Sequence, residues 1–335
     1  MNPRRILGLQ LKRLGDIILT TPAMQMLCDT FPEAAVDLIV DPKLAGFASY
    51  VSGCKVIPAP RSLGDYLNLP RAGYDVVLDF TGQDRCLILA ALTGAAHKLT
   101  FRKYHKKLGR SLCYRTAVKS SLRDHHVADH LADLAREVGA SGKAGRPTLQ
   151  AKLHDWQTAS SKLRVAGLPD AFAARYILLH PGTARPEKFW AAERWGKVID
   201  FLTLQTGLPV VLSSSPDIHE RAHLDAVAQS ATAPTIQMAG TLSLGEFLAV
   251  VEHATLLACV DSAPVHMADA FNTPVFALFG PTDPRIWGPR FASHCWVRGN
   301  PDAPEAMSMS TITLEMVLAQ LGEFLESVPT IQSDG

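Results

Sequence analysis

The stretch from Val260 to Ala268 combines residue types that can bind an anion. It follows an apolar run, 256–260, that is typical of a buried strand, and its second half is typical of the start of a short helix. A helix that begins directly after a strand aims free backbone N–H groups and the positive end of its dipole at one point. We therefore interpret the stretch as an anion site, best suited to a diphosphate. The alternative is a well-capped helix in a parallel sheet.

Single residues of this stretch fit both interpretations. Pro264 suits the start of a helix, because its missing N–H would have had no partner there. Either Asp261 or Ser262 can cap the helix through a side-chain oxygen. His266 comes one turn later, where an imidazole would lie close to a bound anion.

A second polar turn, His180 to Arg185, follows the first predicted strand of the second half of the chain. Gly182 permits close approach of the backbone to a ligand. Thr183 offers a hydroxyl group, while Arg185 and Lys188 offer cations. This combination favours a phosphate site over a plain turn.

A third polar turn, Ser213 to Asp217, follows the next predicted strand, and Glu220 comes one helical turn later. A carboxylate there could hold ribose hydroxyl groups, or the turn could be a plain helix cap. Met238 and Gly240 end a further strand, where backbone groups could receive a nucleobase. The second half of the chain thus predicts a nucleotide site at its strand ends.

The first half of the chain contributes one carboxylate in a comparable position. Asp16 follows the apolar strand Ile6 to Leu11, and a helix is predicted from Ile17 to about Thr30, with a late start or a kink near Pro22. A carboxylate at a helix N-terminus can be a simple cap. Ligands of doubly wound sheets bind at this same edge, so we favour a general base that takes a proton from a hydroxyl nucleophile.

The run from 85 to 123 contains no Asp or Glu and ten basic residues. It is either a solvated loop or a surface for an acidic partner, such as a phosphorylated or carboxylated substrate or an anionic membrane. Nucleic acid is disfavoured, because no recognised binding module accompanies the run. The basic residues are Arg85, Lys98, Arg102, Lys103, Lys106, Lys107, Arg110, Arg115, Lys119 and Arg123.

The strands and helices that would position these turns can be predicted from the pattern of apolar residues along the chain. Short apolar strands alternate with helices of about ten residues, which predicts βαβ units and parallel sheets. A Gly- and Pro-rich segment, 141–147, indicates a boundary between a domain at 1–150 and a domain at 151–335. We expect two Rossmann-like, doubly wound α/β domains that face each other across a cleft. A terminal amphipathic helix, 313–327, could cross back onto the first domain.

Composition and missing motifs exclude several classes of protein. With 47% hydrophobic and 19% charged residues the chain is globular, and its net charge of +1 indicates no particular partner. The six scattered cysteines favour reduced thiols in the cytosol. The chain lacks G-x-G-x-x-G and the P-loop motif, which argues against nicotinamide enzymes and P-loop NTPases. It also lacks a signal peptide and an apolar membrane span. His126 and His130 share a predicted helix face, and surface histidines explain them better than a metal site.

Taken together, these motifs resemble glycosyltransferase family 9, the heptosyltransferases of lipopolysaccharide inner-core assembly, over nearly the whole chain. Each motif is weak alone, and their order and spacing make the resemblance specific. The last two, with Trp287, are most similar to the heptosyltransferase III type. The motifs are Lys12-x-x-Gly15-Asp16, Leu19-Thr20-Thr21-Pro22, His180-Pro181-Gly182-Thr183, Asp261-Ser262-Ala263-Pro264-Val265-His266, Thr273-Pro274-Val275 and Leu278-Phe279-Gly280-Pro281-Thr282-Asp283.

The resemblance implies a GT-B fold and an inverting transfer from ADP-heptose that uses no metal and no cofactor. Asp16 would match the catalytic base of the family, and Thr183 and Lys188 its phosphate-binding positions. The diphosphate loop would match Asp261, Ser262, Ala263 and His266. Family members commonly have glycine where Ala263 stands, which could restrict the approach of the donor's diphosphate.

We expect the basic residues Lys12, Arg102, Lys103 and Lys106 to bind the acceptor, an acidic lipopolysaccharide core. We expect a cytoplasmic enzyme with peripheral contact to an anionic membrane. One alternative is a protein heptosyltransferase that acts on an autotransporter, which would bind a polypeptide and leave the basic run without a use. Another is a non-catalytic protein that binds nucleotide sugars, which the presence of Asp16 disfavours.

Overall fold

The chain folds into two compact units that divide between Gln150 and Ala151. A computed structural model describes residues 2–107, 109–123, 125–173 and 175–328. Each unit contains one parallel β-sheet of six strands with helices packed against it. The alternation of short strands and helices along the chain therefore predicted the α/β class correctly.

The described part of the first unit begins with strand β1 and alternates as expected. Its strands are β1 (Arg5–Gln10), β2 (Ala35–Val40), β3 (Lys55–Pro58), β4 (Val76–Asp79), β5 (His97–Phe101) and β6 (Thr116–Val118). Its helices are α1 (Leu14–Thr30), α2 (Leu63–Asn68), α3 (Asp84–Leu92), α4 (Arg102–His105), α5 (Arg110–Cys113) and α6 (Val127–Glu137), with 3₁₀ helices at Pro42–Tyr50 and Pro70–Ala72.

The first sheet has the order β3-β2-β1-β4-β5-β6, and every pairing is parallel. This is the order of doubly wound nucleotide-binding folds, whose ligands bind where the order reverses, beyond the carboxyl ends of the central strands. Successive side chains of β1 point to opposite faces. Gly8 lies against Met24 of α1, while Leu7 and Leu9 join an apolar cluster with Cys86 and Leu89 of α3.

Helix α1 begins at Leu14, three residues earlier than predicted, and includes Pro22 in its interior. A proline removes the N–H that would bond the carbonyl four residues back. The Thr21 hydroxyl donates to that carbonyl, Ile18 O, at 2.7 Å, and the Thr148 N–H donates to the same hydroxyl at 2.9 Å. The threonine before the proline thus satisfies the group that the proline leaves open.

The described part of the second unit repeats this organisation. Its strands are β7 (Ile177–His180), β8 (Val210–Ser214), β9 (Thr235–Ala239), β10 (Leu256–Val260), β11 (Val275–Phe279) and β12 (His294–Arg298). Its helices are α7 (Leu153–Val165), α8 (Ala192–Thr206), α9 (Ile218–Ser230), α10 (Leu244–His253), α11 (Ala263–Phe271), α12 (Pro284–Trp287) and α13 (Leu314–Ser327). Short 3₁₀ helices lie at Asp170–Phe172, Pro186–Lys188, Glu305–Met307 and Met309–Thr311.

The second sheet has the order β12-β11-β10-β7-β8-β9, again with parallel pairings throughout. Read from β9, this is the order of the first sheet. The reversal point lies between β7 and β10, where Cys259 pairs with His180. The turns that follow these two strands are the ones that the sequence marked as anion sites.

The terminal helix α13 belongs to the core of the second unit. It packs against β12 and α8. Its apolar face buries Val317, Leu321, Phe324 and Leu325 in the same cluster as Trp190. That face completes the cover of this sheet, because amphipathic helices bury their apolar side where a sheet surface is open.

No helix of the described residues is both long and apolar enough to cross a membrane.

Candidate active site

The turn after β7 and the turn after β10 meet through a buried ion pair. The Lys188 Nζ atom lies 2.5 Å from Asp261 Oδ2 and also donates to Thr282 Oγ1 at 3.1 Å. Both charged side chains are about nine-tenths buried. A cation is therefore held at the reversal point of the sheet by one carboxylate and one hydroxyl, with ammonium donors that can also serve a ligand.

Neither predicted cap of α11 forms. Ser262 occupies the cap position with extended backbone, but its hydroxyl donates to the Val260 carbonyl at 3.1 Å. Asp261 turns to Lys188 instead, because a buried ammonium requires a partner. Pro264 lies in the first turn, as predicted, and His266 is buried just beyond it. The positive end of this nine-residue helix thus begins at Ala263, next to the ion pair.

Thr183 and Arg185, also on the turn after β7, are not part of the Lys188–Asp261 ion pair. Thr183 is buried within the turn. Arg185, which the sequence offered as a second phosphate cation, is engaged in ion pairs with Glu187 at 2.5 Å and with Glu305. The sequence offered Lys188 and Arg185 alike, and tertiary pairing separates them: Lys188 pairs with Asp261, whereas Arg185 pairs with Glu187 and Glu305.

Glu220 is a buried carboxylate beneath two turns, and it is not the cap of α9. Asp217 is that cap and accepts from the backbone N–H groups of His219 and Glu220 at 2.9 and 3.2 Å. The Glu220 carboxylate accepts from the Ser215 N–H at 3.1 Å. A Cβ atom at Gly182 would lie 2.8 Å from Glu220 Oε2, so this turn approaches the carboxylate as closely as glycine allows.

His180 connects the ends of β7 and β8. Its Nδ1 atom lies 3.0 Å from Ser213 Oγ, and burial lowers the pKa of its imidazole to about 4. The Glu220 carboxylate, 3.9 Å from Nε2, would favour the charged ring, but burial of the ring outweighs it. Met238 pairs with Ser213 on the next strand and is buried, and its carbonyl accepts from Thr241. The ends of β7, β8 and β9 therefore form one continuous edge.

In the first unit, Asp16 occupies the third position of α1, where a carboxylate and a helix dipole attract. Burial raises the pKa of this carboxyl group, while the Lys12 ammonium and the Arg13 backbone N–H oppose the rise. A partly buried carboxylate with a raised pKa is a better proton acceptor than an exposed one. Its place in the first turn suits a carboxylate near the helix N-terminus, and its raised pKa suits a general base.

Tyr104 is a neighbour of Asp16 that the sequence analysis did not select. Burial raises the pKa of its phenol, and the charges of Asp79 and Asp16 raise it further. Gly82 has φ +63, and a Cβ atom there would lie 2.1 Å from the tyrosine ring. Thr282, the second partner of Lys188, was also missed as a site residue. Tyr104 lies in the basic run and Thr282 in the motif 278–283, but only the fold shows which residue of each stretch lies next to the site.

Three of the basic residues predicted to bind the acceptor line one pocket of about 640 Å³. Burial lowers the pKa of Lys103, and the positive charge of Lys12 adds to the effect, which places the fourth predicted residue nearby. Arg110 is not part of this surface, because it is buried and pairs with Asp84 at 2.5 Å. The pocket is lined by Arg102, Lys103, Lys106, Lys119, Ser120, Ser121 and His125.

Of the two histidines that the sequence places on one helix face, His126 is half-buried at the start of α6, and only His130 departs from the prediction of a surface histidine. His126 caps the helix, with its Nδ1 accepting from the Ala128 N–H at 3.2 Å. His130 is buried, stacks on Phe101 and lies 2.6 Å from Ser120 Oγ. Among the described residues, no group of three or more His, Cys, Asp or Glu side chains could hold a metal ion.

Solved structures share the fold of this chain. A glycosyltransferase of family 9 from Veillonella parvula DSM 2008 superposes with a TM-score of 0.82 at 22% identity, over 97% of this chain and 97% of that one. The Escherichia coli ADP-heptose LPS heptosyltransferase II gives 0.77 at 19% identity, over 96% and 99%. The protein therefore has the GT-B fold of nucleotide-sugar glycosyltransferases, as predicted.

The chain belongs to glycosyltransferase family 9 (heptosyltransferase), whose sequence model matches residues 67–312. It is similar to a lipopolysaccharide heptosyltransferase 3 from Escherichia coli, with 28% identity over 292 residues, 82% of this chain and 83% of that protein. The family resemblance predicted from the motifs is confirmed, and with it the expectation of a glycosyltransferase.

Proposed function

We propose that this protein transfers heptose from ADP-heptose to the core of lipopolysaccharide at the cytosolic face of the inner membrane, with inversion and without a metal ion. The observation that carries the proposal is the buried Lys188 ammonium beside the start of α11, in a chain of family 9. The names of its relatives supply the donor and the acceptor class, since they are lipopolysaccharide heptosyltransferases, one of them with ADP-heptose in its name.

The second unit binds the donor. Lys188 and the N-terminus of α11 provide positive charge for the diphosphate, a role that a divalent cation has in other transferases. Thr183, Ser262, Ala263 and His266 surround the same position on their two turns. Glu220, in the first turn of α9, and Met238, on β9, lie on the side of the site that receives the nucleoside. Positive protein groups supply the needed charge, so the reaction requires no metal.

The first unit binds the acceptor and supplies the base. The Asp16 carboxylate takes the proton of an acceptor hydroxyl as that oxygen bonds to the anomeric carbon of heptose. The bond from this carbon to the diphosphate breaks, and ADP leaves with the electron pair. A single displacement of this kind inverts the anomeric configuration. Lys12, Arg102, Lys103 and Lys106 hold the acidic groups of the acceptor.

The test is the Asp16→Asn variant, assayed for heptose transfer from ADP-heptose to core isolated from cells that lack this protein. We expect kcat to fall at least about 100-fold, because the amide cannot accept the proton. ADP binding should stay unchanged, and thermal stability should change little, because the lost attraction to the dipole of α1 is worth at most about 1 kcal/mol and burial already disfavours the carboxylate. Addition of EDTA should leave the wild-type rate unchanged.

A kcat within about tenfold of wild type would contradict the role of Asp16 as base. Loss of activity in EDTA that Mg²⁺ restores would contradict metal independence. Asp16→Glu is the matched control, because it keeps the carboxylate and displaces it by one methylene group. It should retain more activity than Asp16→Asn.

A further inference from the structure

The first unit exposes a group of large aliphatic side chains on three neighbouring helices. Among its described residues, every large hydrophobic side chain that is strongly exposed lies on α2, α3 or α5. Leu112 is 90% exposed and Leu63 is 76% exposed, so these side chains are almost fully in solvent. The complete group, here called the aliphatic face, is Leu63, Leu67, Ile88, Leu92 and Leu112.

The three helices cover the same side of the first sheet. Helix α3 contacts both α2 and α5. Its inner residues Cys86, Leu89 and Ala90 join the apolar cluster beneath it, to which Tyr66 of α2 and Cys113 of α5 also pack. These inner residues of α2, α3 and α5 face the sheet, so the exposed residues of the three helices lie on the outer surface of the same side.

The spacing of the exposed residues gives each helix an apolar outer stripe. Leu63 and Leu67 are four residues apart on α2, and Ile88 and Leu92 are four apart on α3, so each pair lies on one helix face. A helix that covers a sheet normally has polar residues on that face. Several exposed apolar side chains on adjacent helices are typical of a contact with a partner or a membrane.

Basic residues border the aliphatic face. Lys106 and Lys107 precede α5, Arg115 follows it, and all three are exposed. Of the exposed carboxylates on these helices, Asp84 pairs with Arg110, while Asp65 accepts from backbone N–H groups at the start of α2 and keeps its charge, so three basic side chains stand against one unpaired acid. The border of the aliphatic face is therefore positively charged.

We propose that the aliphatic face docks this enzyme on an anionic lipid bilayer, with the leucine and isoleucine side chains in the interface and the lysines and arginine on the lipid headgroups. Apolar side chains and basic neighbours together are what peripheral membrane binding requires, since either contribution alone is weak and reversible. The inference rests on the proposed function, in which the acceptor is itself a membrane lipid.

A second copy of the chain fits this surface less well. In a symmetric dimer the same patch meets itself, which would bring the basic borders of the two copies together. Like charges in contact oppose association, whereas an anionic bilayer neutralises them. The charge of the border thus favours lipid over self-association.

The experiment is co-sedimentation of the full-length protein with vesicles of equal parts phosphatidylglycerol and phosphatidylethanolamine, and with pure phosphatidylcholine vesicles. We expect binding to the anionic vesicles only. Leu112→Gln should weaken binding about fivefold or more, as loss of an inserted leucine does. Lys107→Gln should weaken it about fivefold and remove part of its salt dependence. Leu204→Gln is the matched control, because Leu204 is 80% exposed on α8 of the second unit.

Equal binding of Leu112→Gln and wild type would overturn the proposal, as would equal loss in Leu204→Gln. So would a wild-type dimer in size-exclusion chromatography that Leu112→Gln converts to a monomer. Vesicle binding needs neither donor nor acceptor, so its failure leaves the roles of Asp16 and Lys188 untouched. Transfer to delipidated core oligosaccharide should be the same in Leu112→Gln and wild type.

Discussion

At the scale of single residues, Lys188 has a structural and a proposed catalytic role that can be separated. Its ammonium neutralises the buried Asp261 carboxylate, and in the proposed function it also binds the departing diphosphate. Removal of one partner from a buried ion pair leaves an uncompensated charge, whereas removal of both does not. Stability and ligand binding should therefore respond differently to single and double substitutions.

Lys188→Met should lower the free energy of unfolding by about 3–5 kcal/mol, because Asp261 is left charged and buried. It should also weaken ADP binding about 10- to 100-fold, as loss of a charge-assisted bond does. The double variant Lys188→Met/Asp261→Asn should recover most of the stability and none of the affinity. Urea unfolding and titration calorimetry measure the two effects. Full recovery of ADP affinity in the double variant would contradict the role of Lys188.

A second prediction at this scale concerns His180, whose pKa burial lowers to about 4. In the unfolded chain the imidazole binds a proton near pH 6.5, and in the folded protein it does not until about pH 4. The free energy of unfolding therefore decreases by up to about 3 kcal/mol as pH falls from about 6.5 to about 4, because the unfolded state binds the proton first. Above about pH 6.5 His180 is uncharged in both states, and its titration takes nothing from the stability of the fold.

His180→Gln should flatten this dependence, because an amide does not titrate, while it can still bond Ser213. Urea unfolding at about pH 7.5, 5.5 and 4.5 compares the slopes of variant and wild type. Burial also lowers the pKa of His130 to about 4, so part of the slope remains in the variant. Equal slopes in both proteins would show that His180 does not titrate as its burial predicts.

At the scale of elements, the site depends on how closely the turns after β7 and β8 approach each other. Gly182→Ala would place a methyl group 2.8 Å from Glu220 Oε2, so the carboxylate must move and its bond from the Ser215 N–H must weaken. We expect a loss of about 1–3 kcal/mol in stability and weaker ADP binding. Thermal unfolding with and without ADP measures both.

Gly322→Ala is the matched control in the same unit. A methyl group there meets only Phe201 at 3.7 Å, an ordinary contact, and alanine favours the interior of α13 by up to about 1 kcal/mol. This variant should be as stable as wild type or more so, with unchanged ADP binding. Similar behaviour of the two glycine variants would contradict a specific role for the close approach at Gly182.

At the scale of the whole molecule, each unit has its own parallel sheet and its own apolar core, and the proposed function gives the donor to the second unit. Addition of ADP should therefore slow amide hydrogen exchange most at the turns that follow β7, β8 and β10, because a ligand stabilises the groups that it contacts. Exchange mass spectrometry measures this by peptide. Protection confined to the turn that contains Asp16 would contradict the assignment of donor to the second unit.

Charge at this scale predicts how transfer responds to salt. The net charge of the chain is only +1, but ten basic residues and no acidic ones lie between 85 and 123. Added salt screens attraction to an acidic acceptor. We expect KM for the core acceptor to rise with NaCl while KM for ADP-heptose changes little. A rise of equal size for both substrates would argue against the basic pocket as the acceptor site.

The pattern of residues along the chain was enough to predict the α/β class, the position of the polar turns and the family. Periodicity decides which segments become strands and helices, and the polar turns of parallel strands must meet at one edge of each sheet. This information is local, so the sequence carries it directly. The motifs around Asp16, Lys188 and Asp261 could be found for the same reason.

The pairing of the polar groups could be known only from the folded chain. Asp261 bonds Lys188 and leaves α11 without a side-chain cap, Arg185 turns to Glu187, and Arg110 turns inward to Asp84. Helix α13 packs on its own unit. Each of these choices depends on which distant residue reaches the same buried space. The cost of an unpaired buried charge then selects the partner, and that cost does not appear in the local pattern of the chain.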